Sequence, residues 1–306
     1  MRFRLEALLV RLLSGTVGLL PMRVVRSAGH ALGRFVYHVD GYHRRIALTN
    51  MANAFPSRSR DDLERSTRAT FAHFGAVLLE LLKFGTLSPD EMVRMVDVEG
   101  AERVNQAYLH GRGVLLYTGH FGYWEVQGLM QPLHARPVSV LARPLDNPYL
   151  HDMLERLRTR TGNGVIYRQR AIRKVLRELA ANHGVAMLID QHLHTPDAIY
   201  VDFFRRPAAT TNALAALAIR TGAPVIPAFA MPISGGRYRL VYEHPVDPPR
   251  DDTPEAIREF TQRCTDVLEM YVRRHPDLWL WMHRRWRERP QPSSDHVEVR
   301  EAGVDL

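Results

Sequence analysis

Apolar residues recur at helical spacing over residues 1–85 and form short runs later in the chain. Ser59 followed by Asp62 predicts the start of a long helix. The positions on its apolar face are Leu63, Thr67, Phe74, Val77, Leu78 and Leu81. From about residue 110, four apolar runs predict buried strands. They cover residues 113–117, 138–141, 185–189 and 225–230.

Amphipathic segments lie between these runs. One carries Ile172, Val175, Leu176 and Leu179, and another carries Leu214, Leu217 and Ala218. A further strand is predicted over residues 237–244, paired through the turn at Ser234-Gly235-Gly236. Such alternation is typical of an α/β fold with a mostly parallel central sheet flanked by helices. We therefore expect a helical N-terminal arm over residues 1–85 and an α/β domain over residues 86–306.

The last predicted helix begins at Thr253 and Pro254, an N-cap followed by proline at the first helical position. Its buried face comprises Ile257, Phe260, Cys264, Val267, Leu268 and Tyr271. Cys264 is the only cysteine of the 306 residues, which excludes an internal disulfide and a cysteine-based zinc site. Its place on an apolar face predicts a small core residue rather than a nucleophile.

The charge balance predicts an anionic partner. The formal net charge is +8, and apolar residues make up 45% of the chain, enough for a sizeable core. Most of the basic residues are arginine, which pairs well with phosphate. An anionic membrane surface or an acidic protein fits this charge. Nucleic acid is not expected as a partner, since no zinc finger, helix-turn-helix or RNA-binding aromatic signature occurs.

The N-terminus combines leucines at helical spacing with arginines. Leu5, Leu8, Leu9 and Leu12 share one helical face, and Arg2, Arg4 and Arg11 accompany them. The longest uncharged run, residues 12–22, is shorter than the ~20 residues of a spanning helix. The pattern predicts a helix that lies in a membrane interface. The alternative is an amphipathic helix packed on the domain.

The chemistry of the chain is concentrated after the strand at residues 113–117. His120 lies between Gly119 and Gly122, and Glu125 follows five residues later. Open α/β sheets bind ligands at the carboxyl ends of their strands. A neutral imidazole there can take the proton of an attacking hydroxyl, and a carboxylate on its other ring nitrogen fixes the tautomer. The pair suits acyl transfer to an alcohol. In the alternative, His120 caps the strand and Glu125 is a surface residue.

The His120-x4-Glu125 motif and four further stretches resemble the bacterial lipid A late acyltransferases (lauroyl/myristoyl type) of the lysophospholipid acyltransferase superfamily. The further stretches cover residues 45–56, 200–211, 217–227 and 279–286. Together they extend over nearly the whole chain.

The resemblance implies transfer of an acyl group from an acyl carrier protein thioester to a hydroxyl of a lipid A precursor. This reaction would occur at the cytoplasmic face of the inner membrane, with the enzyme peripheral or monotopic. It implies that His120 is the general base and Glu125 its partner. Arg168 or Arg170 would bind a phosphate or the developing oxyanion, and Asp190 would orient that arginine. No cofactor and no metal are implied. Phe121, Trp124 and Phe204 are candidates for the acyl-chain groove, or equally for plain core.

Two positions depart from the family pattern. The acidic position continues as Asp190-Gln191-His192, where the family often has Asp-x-Asp. Arg205 follows Phe203-Phe204, where the family often has glycine. These departures concern acceptor or chain-length preference more than the chemistry. A phosphatidylinositol mannoside, a lysophospholipid or an ornithine-type lipid remains open as the acceptor, and coenzyme A remains open as the donor carrier.

Two other classes of function remain as alternatives. Asp190, His192 and His194 are sound ligand types for zinc or iron, which would fit a metal-dependent hydrolase. The C-terminal cluster would fit a non-catalytic module that binds membranes, or a packed core with a solvated edge. That cluster consists of Trp279, Trp281 and Trp286 with Arg284, Arg285, Arg287 and Arg289.

Overall fold

A computed structural model describes residues 1–167, 171–193 and 198–287. The helices are α1 Arg2–Leu19, α2 Met22–Val39, α3 Gly41–Ala54, α4 Arg60–Phe84, α5 Pro89–Arg94, α6 Ala101–Tyr108, α7 Trp124–His134, α8 Pro148–Thr159, α9 Ala171–Ala180, α10 Ala213–Thr221 and α11 Pro254–Arg274. Short 3-10 turns occur at Ser234–Gly236 and Pro276–Leu278. The strands are β1 Val96–Glu99, β2 Val114–Thr118, β3 Val138–Ala142, β4 Gly164–Tyr167, β5 Gly184–Leu188, β6 Ile199–Phe203, β7 Arg206–Thr210, β8 Val225–Pro232 and β9 Tyr238–Tyr242.

The central sheet confirms the predicted α/β fold. In the described part of the chain it has seven strands in the order β1-β9-β8-β2-β5-β3-β4, with every neighbouring pair parallel except β8 and β9. Strands β6 and β7 form a separate antiparallel hairpin. Strand β2 lies in the middle, with β5 and β8 on its two sides. Its carboxyl end is therefore enclosed by neighbouring strands.

The two faces of the sheet bury separate cores, because successive strand residues point to opposite sides. On β2, Leu115 and Tyr117 join a core with α9, α10 and α11. Val114 and Leu116 join a second core with α4, α6 and α7. Cys264 is 1% exposed in the first core, as predicted. Burial raises the pKa of its thiol to about 12, which makes it a poor nucleophile.

The predicted caps are present. Ser59 accepts a hydrogen bond from the backbone N–H of Asp62 at 3.2 Å, and α4 begins at the next residue. Thr253 likewise accepts from Ala256 N–H at the start of α11. The β8–β9 pair turns through Ser234–Gly236, as the sequence predicts. Strands β1, β4, β6 and β7 were not predicted.

The N-terminal helices pack tightly through glycine. A Cβ added to Gly33 on α2 would lie 2.0 Å from the Phe71 carbonyl oxygen of α4. On α1, Leu5, Leu8, Leu9 and Leu12 are 52–62% exposed, so these side chains are not packed on the domain. In the part of the chain that the structure describes, no helix is both long enough and apolar enough to cross a membrane.

Candidate functional site

The turn after β2 brings His120 to the carboxyl edge of the sheet. Gly122 has φ +57°, and a Cβ there would lie 1.9 Å from the carbonyl oxygen of Ala230. Only glycine fits this backbone approach. A Cβ on Gly119 would lie 2.9 Å from Asp190 Oδ2. The two glycines therefore allow a tight turn and the close approach of neighbouring groups.

Asp190 contacts the ring of His120. Thr118 of β2 is paired with Leu188 of β5. His120 and Asp190 each follow two residues after these paired positions. Asp190 Oδ1 lies 2.8 Å from His120 Nδ1, and Asp190 Oδ2 accepts from the His120 backbone N–H at 2.6 Å. Because Nδ1–H is donated to the carboxylate, Nε2 of the neutral His120 ring carries no proton. The Gln191 amide nitrogen lies 3.3 Å from that Nε2.

The surroundings of the pair keep the imidazole basic. Burial would lower the pKa of His120, but the charge of Asp190 and its hydrogen bond outweigh burial and raise it above 6.5. Burial would raise the pKa of Asp190, but the His120 charge and the hydrogen bonds to the carboxylate lower it to about 2. Asp190 therefore stays ionised and supports positive charge on His120.

The segment around Trp279 holds His120 and Asp190 in this arrangement. The indole N–H of Trp279 donates to Asp190 Oδ2 at 2.8 Å. Gly122 N–H donates to the Leu278 carbonyl at 2.7 Å, and Leu280 N–H donates to the His120 carbonyl at 3.0 Å. Trp279 is 1% exposed and Trp281 is fully buried. The aromatic cluster is thus a packed core in which Trp279 orients Asp190, and these two tryptophans do not face a membrane.

Glu125 is positioned differently from the sequence expectation. The sequence predicted its carboxylate on the second ring nitrogen of His120, whereas in the structure Asp190 occupies that place. Glu125 instead accepts hydrogen bonds from Arg158 Nε, at 3.0 Å, and from Arg158 Nη2. The two side chains are 16% and 18% exposed. Glu125 lies in the first turn of α7 and lines the cavity, where its charge also raises the pKa of His120.

A cavity of about 410 Å³ opens beside His120. It lies between α7 and the sheet, and Glu125, Arg158 and Trp124 line it together with apolar residues of β2, β3 and β5. Phe121 and Phe204 belong to the core instead, with exposures of 0% and 4%. Of the three candidates for an acyl groove, only Trp124 is on the cavity wall.

Arg168 and Arg170 lie outside the described residues, as does His194. The carboxylate of Asp190 is engaged by His120 and Trp279. Within residues 1–167, 171–193 and 198–287, no group of three or more His, Cys, Asp or Glu side chains is placed to hold a metal.

Sequence reasoning missed the structural role of two residues. Arg158 lies among several charged residues of α8, and nothing in their spacing distinguishes it. Trp279 stood out as an aromatic residue, but its indole contact with Asp190 spans 89 positions. Both roles depend on tertiary contacts.

Comparison with known proteins gives consistent matches over nearly the full length. A family model described as bacterial lipid A biosynthesis acyltransferase matches residues 5–288. The lipid A biosynthesis palmitoleoyltransferase of Escherichia coli (strain K12) is 26% identical over 274 residues, which is 89% of this chain and 87% of that protein. The phosphatidylinositol mannoside acyltransferase of Mycobacterium tuberculosis (strain H37Rv) is 25% identical over 273 residues, with coverages of 87% and 84%.

A solved structure also matches. The 1-acyl-sn-glycerophosphate acyltransferase of Thermotoga maritima is 18% identical to this chain. The match covers 80% of this chain and 94% of that one, with a TM-score of 0.37.

Proposed function

We propose that this chain, which belongs to the family of bacterial lipid A biosynthesis acyltransferases, transfers a fatty acyl group from acyl carrier protein to a hydroxyl of a lipid A precursor. The chain is an O-acyltransferase, as its family is. The observation that carries the proposal is the His120–Asp190 pair at the edge of a largely apolar cavity. This arrangement joins a base for the hydroxyl to a space for a hydrocarbon chain.

The reaction begins at the unprotonated Nε2 of His120. The acceptor hydroxyl gives its proton to Nε2 as its oxygen bonds to the thioester carbon. Asp190 stabilises the resulting imidazolium without taking the proton. When the carbon–sulfur bond breaks, the imidazolium returns the proton to the leaving thiolate, so the products are an ester and a thiol. No covalent enzyme intermediate is needed.

Arg158, paired with Glu125, presents its guanidinium at the wall of the cavity. Arg158 is held at two nitrogens by Glu125, so its guanidinium has a fixed orientation at the cavity wall. A preoriented cation of this kind stabilises a developing oxyanion. Glu125 then acts by positioning Arg158 and by raising the pKa of His120. The family resemblance implies Arg168 or Arg170 for this role, oriented by Asp190. Among the described residues, Arg143 and Arg158 are the arginines that line the cavity, and Arg158 is the one held by Glu125.

A membrane location is supported by the N-terminal helices. Leu8 and Leu12 of α1 and Phe35 and Val39 of α2 are more than half exposed. Residues 1–85 contain 13 Arg and Lys against 6 Asp and Glu, a formal net charge of +7 out of +8 for the chain. Exposed apolar side chains with a positive surface suit an anionic bilayer. We place the enzyme at the cytoplasmic face of the inner membrane, where it meets a lipid acceptor and an acidic carrier protein.

A phosphatidylinositol mannoside is the second candidate acceptor. The relative named for that activity is as similar to this chain as the lipid A enzyme is, at 25% against 26% identity. The same base serves any acceptor hydroxyl. The choice of acceptor depends on contacts between the protein and the headgroup of the acceptor lipid.

A donor-by-acceptor panel tests the proposal. Purified protein is given the same acyl chain on acyl carrier protein or on coenzyme A, with a tetra-acylated lipid A precursor, a phosphatidylinositol mannoside or a lysophospholipid. We expect transfer from the carrier protein to the lipid A precursor. Transfer to another acceptor alone would remove lipid A from the proposal. A preference for coenzyme A would remove the carrier protein from the proposal as the acyl donor.

A further inference from the structure

We infer that Gly128 sets the longest acyl chain that this enzyme transfers efficiently. The inference rests on the proposed function, in which the cavity beside His120 holds the acyl chain. It concerns a residue on the wall of the cavity, away from the groups that carry out the reaction.

The cavity extends along the strands from the carboxyl edge of the sheet toward the amino edge. Its wall includes both Val138 and Ala142, the first and last residues of β3, roughly 13 Å apart in an extended strand. His120 lies at the carboxyl edge. A thioester next to His120 would therefore direct its hydrocarbon chain down this channel.

Helix α7 forms the opposite wall. It starts at the carboxyl edge, and the face formed by Trp124, Gly128 and Gln131 lines the cavity. These positions follow helical spacing, so Gly128 is about 6 Å below Trp124. A Cβ added to Gly128 meets nothing within 4 Å. Protein interiors are otherwise close-packed, so the missing side chain leaves room for a ligand in the middle of the channel.

The channel has a rigid floor below Gly128, toward the amino edge of the sheet. Asn163 donates from Nδ2 to the Gly128 carbonyl at 2.5 Å and accepts from Val138 N–H at 3.0 Å. These two bonds fix the separation of α7 and β3. Gln131 accepts from the Tyr242 hydroxyl at 2.5 Å and is 2% exposed. Because these polar groups are already bonded, the floor is preformed and does not adapt to a longer chain.

A larger side chain at position 128 will shorten the channel. Each methylene excluded from an apolar site costs roughly a factor of four in affinity. Gly128→Met should exclude about three methylenes and so lower the ratio of kcat/KM for hexadecanoyl over decanoyl donors about 50-fold. Gly128→Ala adds one methyl group and should lower the ratio only a few-fold. Alanine also favours the helix, so this variant keeps the test valid if the methionine variant fails to fold.

The experiment measures kcat/KM for donors from decanoyl to hexadecanoyl with wild type, both Gly128 variants and Gly15→Met. Gly15 is a matched control, because it is a helical glycine whose added Cβ also meets nothing within 4 Å, but it lies outside this cavity. We expect the optimum to move to shorter chains only in the Gly128 variants. An unchanged ratio in folded Gly128→Met, or an equal loss with every donor, would overturn the inference. Absence of transfer by the wild type would instead overturn the proposed function.

Discussion

Replacing Asp190 by asparagine removes the charge that supports His120 and leaves the shape of the site nearly unchanged. The carboxylate is 3% exposed and accepts from His120 N, His120 Nδ1 and the Trp279 indole. An asparagine amide can also present N–H to Nδ1. That contact would force the ring proton onto Nε2, so His120 would no longer be a base at the atom that faces the substrate.

The size of the effect follows from the geometry. A hydrogen bond of 2.8 Å places the carboxylate and imidazolium charges about 4 Å apart, where they interact by about 4 kcal/mol at an effective dielectric constant near 20. Each ~1.4 kcal/mol of lost transition-state stabilisation lowers the rate tenfold. We therefore expect Asp190→Asn to lower kcat about 10³-fold, with a smaller change in KM.

The pH dependence of kcat/KM tests the role of Asp190 independently. His120 acts as a base only when neutral, so wild-type kcat/KM falls as pH decreases through a His120 pKa above 6.5. In Asp190→Asn the raising charge is lost while burial remains, so the residual acid limb moves to lower pH. The assay is acyl transfer from the carrier protein at a series of pH values.

Two comparisons make the result decisive. Asp97→Asn is the control, because Asp97 pairs with Arg237 on a partly exposed edge strand and should keep wild-type kinetics. The double variant His120→Ala/Asp190→Asn should be no slower than His120→Ala, since the two residues act as a unit. Asp190→Asn with more than a tenth of wild-type kcat and an unshifted acid limb would refute the role of Asp190.

Three further predictions concern other contacts. Glu125→Gln should fold normally and lose about 10²-fold in kcat because Arg158 is released; near-wild-type steady-state rates would contradict the paired role. Arg205 has φ +58° in the β6–β7 turn, so Arg205→Gly should raise the free energy of unfolding by about 1 kcal/mol, and a lower value in denaturant titration would contradict this. Gly33→Ala should destabilise the fold by about 3 kcal/mol, because its Cβ would overlap the Phe71 carbonyl; an unchanged melting temperature would show that α2 and α4 separate easily.

The sequence was sufficient for the elements that local pattern determines. The buried strands, the Ser59 and Thr253 caps and the position of His120 at a strand end were all predicted. Each rests on residues close in the chain. The strands β1 and β4 were missed because four-residue elements carry too little periodicity.

The partner of His120 could not be assigned in this way. Glu125 was chosen because it lies five residues away, whereas Asp190 lies 70 positions away and meets His120 because β2 and β5 are neighbours. The carboxyl ends of adjacent parallel strands lie at one edge, but strand order is a tertiary property. The same holds for Arg158, which reaches Glu125 only through the packing of α8 on α7.

The turn at Arg205 gives a physical reason for one departure from the family pattern. Phe204 and Arg205 both have positive φ, at 54° and 58°. A two-residue hairpin of this type favours glycine, which explains the glycine that the family often has there. The departure at Arg205 therefore carries a local cost in the stability of the β6–β7 hairpin.

The role of His120 is tested most directly by transfer of radiolabelled acyl chains from acyl carrier protein to a tetra-acylated lipid A precursor, by wild type and His120→Ala side by side. We expect labelled penta-acylated product with the wild type and loss of nearly all of it with His120→Ala, with both proteins equally folded by circular dichroism. Equal product from the two proteins would contradict the assignment of His120 as the base.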